Sequence, residues 1–205
     1  LIAIGYTMVY GILRLINFAH GDIFMVSGLV MVYATTAMPL YLSIPLVLIG
    51  TVILGFAVER MAYKPLRSAP RMSVMISAIG VSYMLQNIAL YVTGGLAKTY
   101  TSIPWLSKTV TVFGATTKWV TLVTPVLTIV LVVALVMLIK FTKIGIAMRA
   151  VSKDFETAQL MGIKINRVIS TTFVIGSLLA AVGSILYFSN YPSVIPTSGA
   201  MPGLK

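Results

Sequence analysis

The sequence has no cysteine, one histidine and four acidic residues among 205. Without cysteine there is no disulfide and no thiolate metal site. With His20 as the single histidine, a His-based metal cluster or a Ser-His-Asp nucleophile has little to draw on. Charge is scarce as well, at 9% of residues. A soluble domain usually carries about 25%. Apolar residues fill the space instead, at 59%, and the mean hydropathy is +1.01. So much apolar surface with so little charge to wet it calls for lipid as the solvent.

The apolar residues are clustered. A helix needs ~20 mostly apolar residues to cross the hydrocarbon core. Residues 44–63, 73–93, 121–141 and 168–188 meet that length. Residues 23–38 are slightly short but nearly charge-free, and 1–13 form a sixth apolar stretch. The runs are continuous, whereas a barrel would show ~10-residue alternating segments. The expected fold is an all-α integral membrane protein, a polytopic helical bundle with about six transmembrane segments. A single transmembrane domain covers residues 1–205, without an internal repeat. The chain starts inside an apolar run, stops after a Pro/Gly-rich stretch and has no signal-peptide pattern, so it reads as a fragment truncated at both ends.

The formal net charge is +11, yet the basic residues lie between spans, which speaks for membrane orientation and against nucleic acid. Loop 59–72 contains Arg60, Lys64, Arg67 and Arg71. Loop 140–167 contains Lys140, Lys143, Arg149, Lys153, Lys164 and Arg167. Loop 94–120 has only Lys98, Lys108 and Lys118. Positive loops stay in the cytoplasm, so 94–120 and 191–205 are expected outside. Arg14 points to an inside location for the first 22 residues, and a broken or re-entrant segment is the alternative. Loop 94–120 is rich in Thr and aromatic residues and reads as short extended or interfacial structure, with Trp105 and Trp119 suited to the headgroup zone. Three prolines exclude a regular helix over 191–202.

Polar residues inside apolar stretches are the first candidates for function. Asn17, His20 and Asp22 sit together, and an ionised group at the bilayer centre costs at least ~2.5–3.5 kcal/mol. Gly21 permits a helix break, which would free amides and carbonyls for a zwitterionic solute. These residues are expected either to line a translocation path or to form an edge turn in which Asp22 caps the next helix. Gln86 and Asn87 are expected to bond between helices or to touch solute. Gly176, Ala180 and Ser184, at steps of four, form a small-residue stripe suited to close helix packing.

Loop 142–166 predicts a short helix over 153–161. Ser152 is its expected N-cap, Asp154 and Glu156 suit the first turn, and Gly162 suits the terminator. Phe155, Ala158 and Gly162 share one face, and the small ones would let a partner surface approach. Nine residues are marginal as an isolated helix, so the segment rests either on a partner or on its own bundle.

Glu156-Thr157-Ala158, followed after three residues by Gly162, resembles the Glu-Ala-Ala-x-x-x-Gly loop of ABC importer permeases, with Thr157 in place of the usual alanine. The stretch from Gly5 to Asp22 is similar to the N-terminal signature of LivH-like permeases of branched-chain amino acid ABC transporters. So are Glu59 to Arg67, Ala78 to Ser82 with Gln86-Asn87, and Ala147 to Val151 leading into Leu160 to Ile163. The resemblance covers nearly the whole chain. It implies a non-enzymatic permease subunit without cofactor, in the inner membrane of a prokaryote. It also implies two ATP-binding subunits, a second permease subunit and an extracytoplasmic solute-binding protein. Glu156, Thr157, Ala158 and Gly162 would then couple to the ATPase, and the cargo would be leucine, isoleucine, valine or a related amino acid. Urea and short amides are the alternative cargo, and a passive channel for small neutral solutes is the alternative mechanism. Aquaporin-type channels use two Asn-Pro-Ala motifs, and this sequence has none.

Overall fold

The computed structural model describes residues 1–13, 17–66, 69–100, 103–104, 106–112 and 115–199. Arg14, Arg67, Trp105 and Pro202 lie outside them. The helices are α1 (Ile2–Leu13), α2 (Ala19–Ala37), α3 (Leu40–Val58), α4 (Arg71–Thr93), α5 (Trp119–Phe141), α6 (Lys143–Lys153), α7 (Phe155–Leu160) and α8 (Ile165–Asn190). Among the described residues, Leu40–Tyr63, Met72–Thr93, Trp119–Phe141 and Ile165–Asn190 are long and apolar enough to cross a membrane. Ile2–Ile12 is apolar but shorter.

Helix α8 is the hub, packing against α1, α2 and α3. In lipid, apolar side chains gain little by leaving the solvent, so close backbone approach between small residues must hold helices together. The stripe Gly176, Ala180 and Ser184 is buried accordingly. A Cβ on Gly55 of α3 would stand 2.7 Å from the Ser177 Cβ, so the α3–α8 crossing tolerates no side chain there. At the α1–α8 crossing, a Cβ on Gly5 would lie 3.2 Å from the Gly176 carbonyl oxygen. Hydroxyls within the spans donate to their own helix one turn back, as Thr51 does to the Val47 carbonyl, Thr172 to Val168 and Ser177 to Phe173. That arrangement leaves no buried hydroxyl donor unpaired at those positions.

The loops sort to two ends. Arg60 and Lys64 line one groove together with Asn166 and Arg167, so both basic loops meet at one end of the bundle, here the basic end. At the opposite end, β1 (Lys98–Thr99) pairs antiparallel with β4 (Ser193–Val194). A hairpin of β2 (Thr109–Val112) and β3 (Ala115–Lys118) precedes α5. Tyr100 from this end is buried against the Phe188 ring, with centroids 5.9 Å apart, and burial holds its phenol above the usual pKa. Helix α4 ends in a Schellman turn on Gly94 (φ 66°), where the Gly95 amide donates to the Leu90 carbonyl at 3.0 Å. After α8 the chain is non-helical through Gly199, as its prolines dictate.

Three sequence expectations change. Glu59, assigned to the first basic loop, instead begins a π-helical turn, Glu59–Tyr63, that continues α3, and it is fully buried. The wider turn directs Glu59 and Tyr63 inward and leaves Arg60 and Met61 exposed. Gly21 does not break a helix. It lies inside α2, and the interruption falls before Ala19, where Asn17 is non-helical and Phe18 is in a turn. The helix expected over 153–161 is present as α7, shortened to Phe155–Leu160; its start moves to Asp154, because a further helix, α6, which was not expected, runs up to Lys153. Asp154 rather than Ser152 is the N-cap of α7, and its carboxylate accepts from the Glu156 amide at 3.0 Å and the Thr157 amide at 3.2 Å. A carboxylate offers a second oxygen, which takes the Thr157 hydroxyl at 2.5 Å, so it outcompetes a serine two residues earlier. Ser152 stays inside α6 and donates to the Arg149 carbonyl.

Candidate functional site

Two constellations stand out, one inside the bundle and one at its basic end. Inside, the turn between α1 and α2 delivers Asn17, His20 and Asp22 to buried positions, each at most 2% exposed. The Asp22 carboxylate reaches α4, accepting from the Ser82 hydroxyl and from Gln86 Nε2 at 3.0 Å. Gln86 Nε2 also lies 3.2 Å from Ser82 Oγ, so the three side chains close a polar triangle between α2 and α4. Asp22 therefore does not serve as an end cap; it sits in the first turn of α2, where negative charge suits the helix dipole, and bonds across helices.

Asn17 Oδ1 accepts from the Tyr63 hydroxyl at 2.8 Å, tying the turn to the π-helical segment. Tyr63 in turn packs on Phe173 of α8, with ring centroids 5.0 Å apart. His20 lies beside the α1–α8 crossing, its Nε2 3.0 Å from where a Gly5 Cβ would be. Among the described residues, Asn17 Nδ2 and His20 Nε2 are buried without a hydrogen-bond partner. Each such atom costs about 1–3 kcal/mol. Asn87 does not join this layer; it is exposed on α4, and its amide donates to the Tyr83 carbonyl at 2.7 Å.

At the basic end, α7 lies between α6 and α8. Ala158 is buried in a cluster with Ile12, Met148, Val151 and Val168. This small residue seats α7 on its own chain and is not offered to a partner. The outward side presents Glu156 and Thr157, with Leu160 at 87% and Met161 at 79% exposure. Gly162 closes the helix at φ 80°, a conformation that a residue with a Cβ adopts only under strain. The Ile163 amide then donates to the Ala158 carbonyl and the Gly162 amide to Gln159, a complete Schellman motif.

A model of the branched-chain amino acid transport system permease component matches residues 1–205. The chain belongs to the family of branched-chain amino acid transport permeases. The permease is 36% identical to the high-affinity branched-chain amino acid transport system permease protein LivH of Salmonella typhimurium, over 100% of this chain and 71% of that protein. It is 35% identical to LivH of Escherichia coli K12 and 37% identical to BraD of Pseudomonas aeruginosa, with the same coverage. No solved structure matches it. Its role is therefore that of a transport component and not of an enzyme.

The sequence of the permease pointed to Asn17, His20, Asp22 and Gln86 without their partners. Tyr63, Ser82, Glu59 and Ser170 were missed. Ser170 donates to Glu59 Oε2 at 2.9 Å, a contact spanning 111 residues. The spacing of Ser82 and Gln86, one helical turn apart, was the available signal for a polar face on α4. Nothing local announces Tyr63 or Ser170, since a hydroxyl beside a basic loop is ordinary.

Proposed function

We propose that this permease is the membrane-spanning subunit of an ATP-driven importer that carries branched-chain amino acids across the inner membrane of a prokaryote. The names of its relatives support the cargo, and the basic loops support an orientation with α7 in the cytoplasm. Counting α1 and α2 with the four longer helices gives about six crossing segments.

The observation that carries the mechanism is the seat of α7. Its outer side holds apolar Leu160 and Met161 in water, as expected of a surface covered by a partner. Its inner side, through Ala158, is buried in one cluster with Met148 and Val151 of α6 and Val168 of α8, and α6 in turn packs on α1, whose Ile12 belongs to the same cluster. An ATP-binding subunit pressing on Glu156, Thr157 and the Gly162 turn would displace α1 and α8 together. They cross at Gly5 and Gly176, beside His20. Motion there would open the layer of Asn17, His20, Asp22 and Gln86, of which the first three are buried and Gln86 is half-buried in the conformation described. In this reading the layer lines the translocation path, the carboxylate facing the cargo ammonium once the helices part. Unpartnered polar atoms at Asn17 and His20 support that role, because a purely structural layer would be expected to satisfy them. Asn87 would meet the path only if its face of α4 packs on a second permease subunit. A solute-binding protein would dock at the opposite end, near the β1–β4 pair.

ATP-dependent leucine uptake into vesicles holding the permease with its ATP-binding and second permease subunits tests the proposal. Glu156→Lys and Gly162→Val are expected to keep insertion while uncoupling ATP hydrolysis from uptake. Asn17→Ala and Asp22→Asn are expected to lower uptake at unchanged subunit assembly. Normal uptake in all four would remove both assignments. Leu160→Cys and Thr116→Cys report sidedness, since these 205 residues contain no other cysteine.

A further inference from the structure

The π-helical turn has a consequence for the outer surface of the bundle. It places Arg60 and Lys64 beside the start of α8, where they share a groove of about 360 Å3 with Arg167, Ser170, Thr171 and Phe56. A second groove, about 380 Å3, shares Arg167 and Thr171 and adds Lys143 and Lys164. Among the described residues neither lining includes a carboxylate, and the nearby Glu59 carboxylate is buried and accepts from Ser170. Helix α8 starts here without a side-chain cap, so the positive end of its dipole adds to the same field.

The chemistry of this lining fits a phosphodiester: the Arg60 and Arg167 guanidinium groups for paired hydrogen bonds, and the Lys64 ammonium for the remaining oxygens. A second feature specifies what the phosphate is attached to. From Phe56 an exposed apolar stripe runs along α3 through Ile53, Ile49 and Leu46, at 41%, 61%, 60% and 43% exposure. The spacing of three and four residues keeps it on one face. Headgroup chemistry and acyl-chain chemistry are thus continuous, cations at the basic end and hydrocarbon along the span.

We propose that this groove is a binding site for the headgroup of an anionic phospholipid, of the phosphatidylglycerol class, with its acyl chains along the α3 stripe. A bound lipid would bridge the π-helical turn and the start of α8, the same two segments joined internally by Ser170 and Glu59. The site depends on the membrane placement of the bundle and is independent of cargo.

The test uses the intact detergent-purified transporter complex, with phosphatidylglycerol and phosphatidylcholine titrated in separate arms and retained lipid read by native mass spectrometry. The wild-type complex is expected to retain phosphatidylglycerol preferentially. At about fivefold per cation removed, Arg60→Gln with Arg167→Gln should weaken that retention about 25-fold. Arg60→Lys with Arg167→Lys should keep most of it, and Lys108→Gln, at the opposite end, should leave it unchanged. Excess inorganic phosphate should not displace the lipid. Unchanged phosphatidylglycerol retention in the Gln double variant overturns the proposal. Displacement by phosphate alone also overturns it, in favour of a free-anion site. Loss of a protein subunit with lipid retained overturns it in favour of a docking surface.

Discussion

Helices α5 and α8 are both long enough to span a bilayer, yet they lead opposite lives. Helix α5 is the most apolar span, with mean hydropathy 3.0, and 6% of its most apolar window is buried within the chain. Helix α8 has mean hydropathy 2.0, and 61% of its window is buried. In water the more apolar helix would occupy the core. In lipid that force vanishes, and the centre goes to the helix whose backbone others can approach. Helix α8 supplies Gly176, Ala180, Gly183 and Ser184, whereas α5 presents Val126, Ile129, Val130 and Val133 outward.

The comparison can be broken most sharply at Gly55. Gly55→Leu forces a side chain into Ser177 of α8 and should destabilise the protein by about 3 kcal/mol, measured by denaturant unfolding of the purified chain. Wild-type stability in that variant would mean that the α3–α8 crossing is not the crowded centre described. Next comes Asp22→Ala, which strips Ser82 and Gln86 of their shared acceptor and should cost about 2 kcal/mol. A double-mutant cycle with Gln86→Ala should return a coupling of about 0.6–2 kcal/mol, and a zero value would assign α4 to apolar contacts alone. Asp154→Ala should cost about 1 kcal/mol locally. Its readout is faster hydrogen exchange at the Glu156 and Thr157 amides, with the rest of the bundle unmoved. Smallest is Val130→Ala in α5, which should stay within about 0.5 kcal/mol in the same unfolding assay. A larger loss would show that this face of α5 is packed within the chain and is not turned outward.

Some of the site was legible because its signal is local. Gly162 as a terminator follows from the need for a positive φ at that position, and the structure has φ 80° there. The small-residue stripe on α8 follows from its spacing of four. Asp154 was placed in the right turn but in the wrong role. Ser152 and Asp154 are both good caps, and the choice depended on where α6 stops. Glu59 was misread because a charged residue beside Arg60 looks like loop; the π-helical turn and Ser170, 111 residues away, make it interior. The expected break at Gly21 also failed, since a glycine permits a break without requiring one.

By itself the sequence determined the solvent, the approximate spans, the two basic loops and the family signatures. Each of these is a property of composition or of short contiguous stretches. Only the tertiary structure decided which span is central, that Ala158 faces inward, and that Asp22 finds Ser82 and Gln86. The physical reason is rotational. A helix in lipid is apolar on every side, so its hydrophobic pattern does not say which face turns to its neighbours. That rotation is fixed by contacts at 3 Å between residues far apart in the chain, and they exist only once the bundle has assembled.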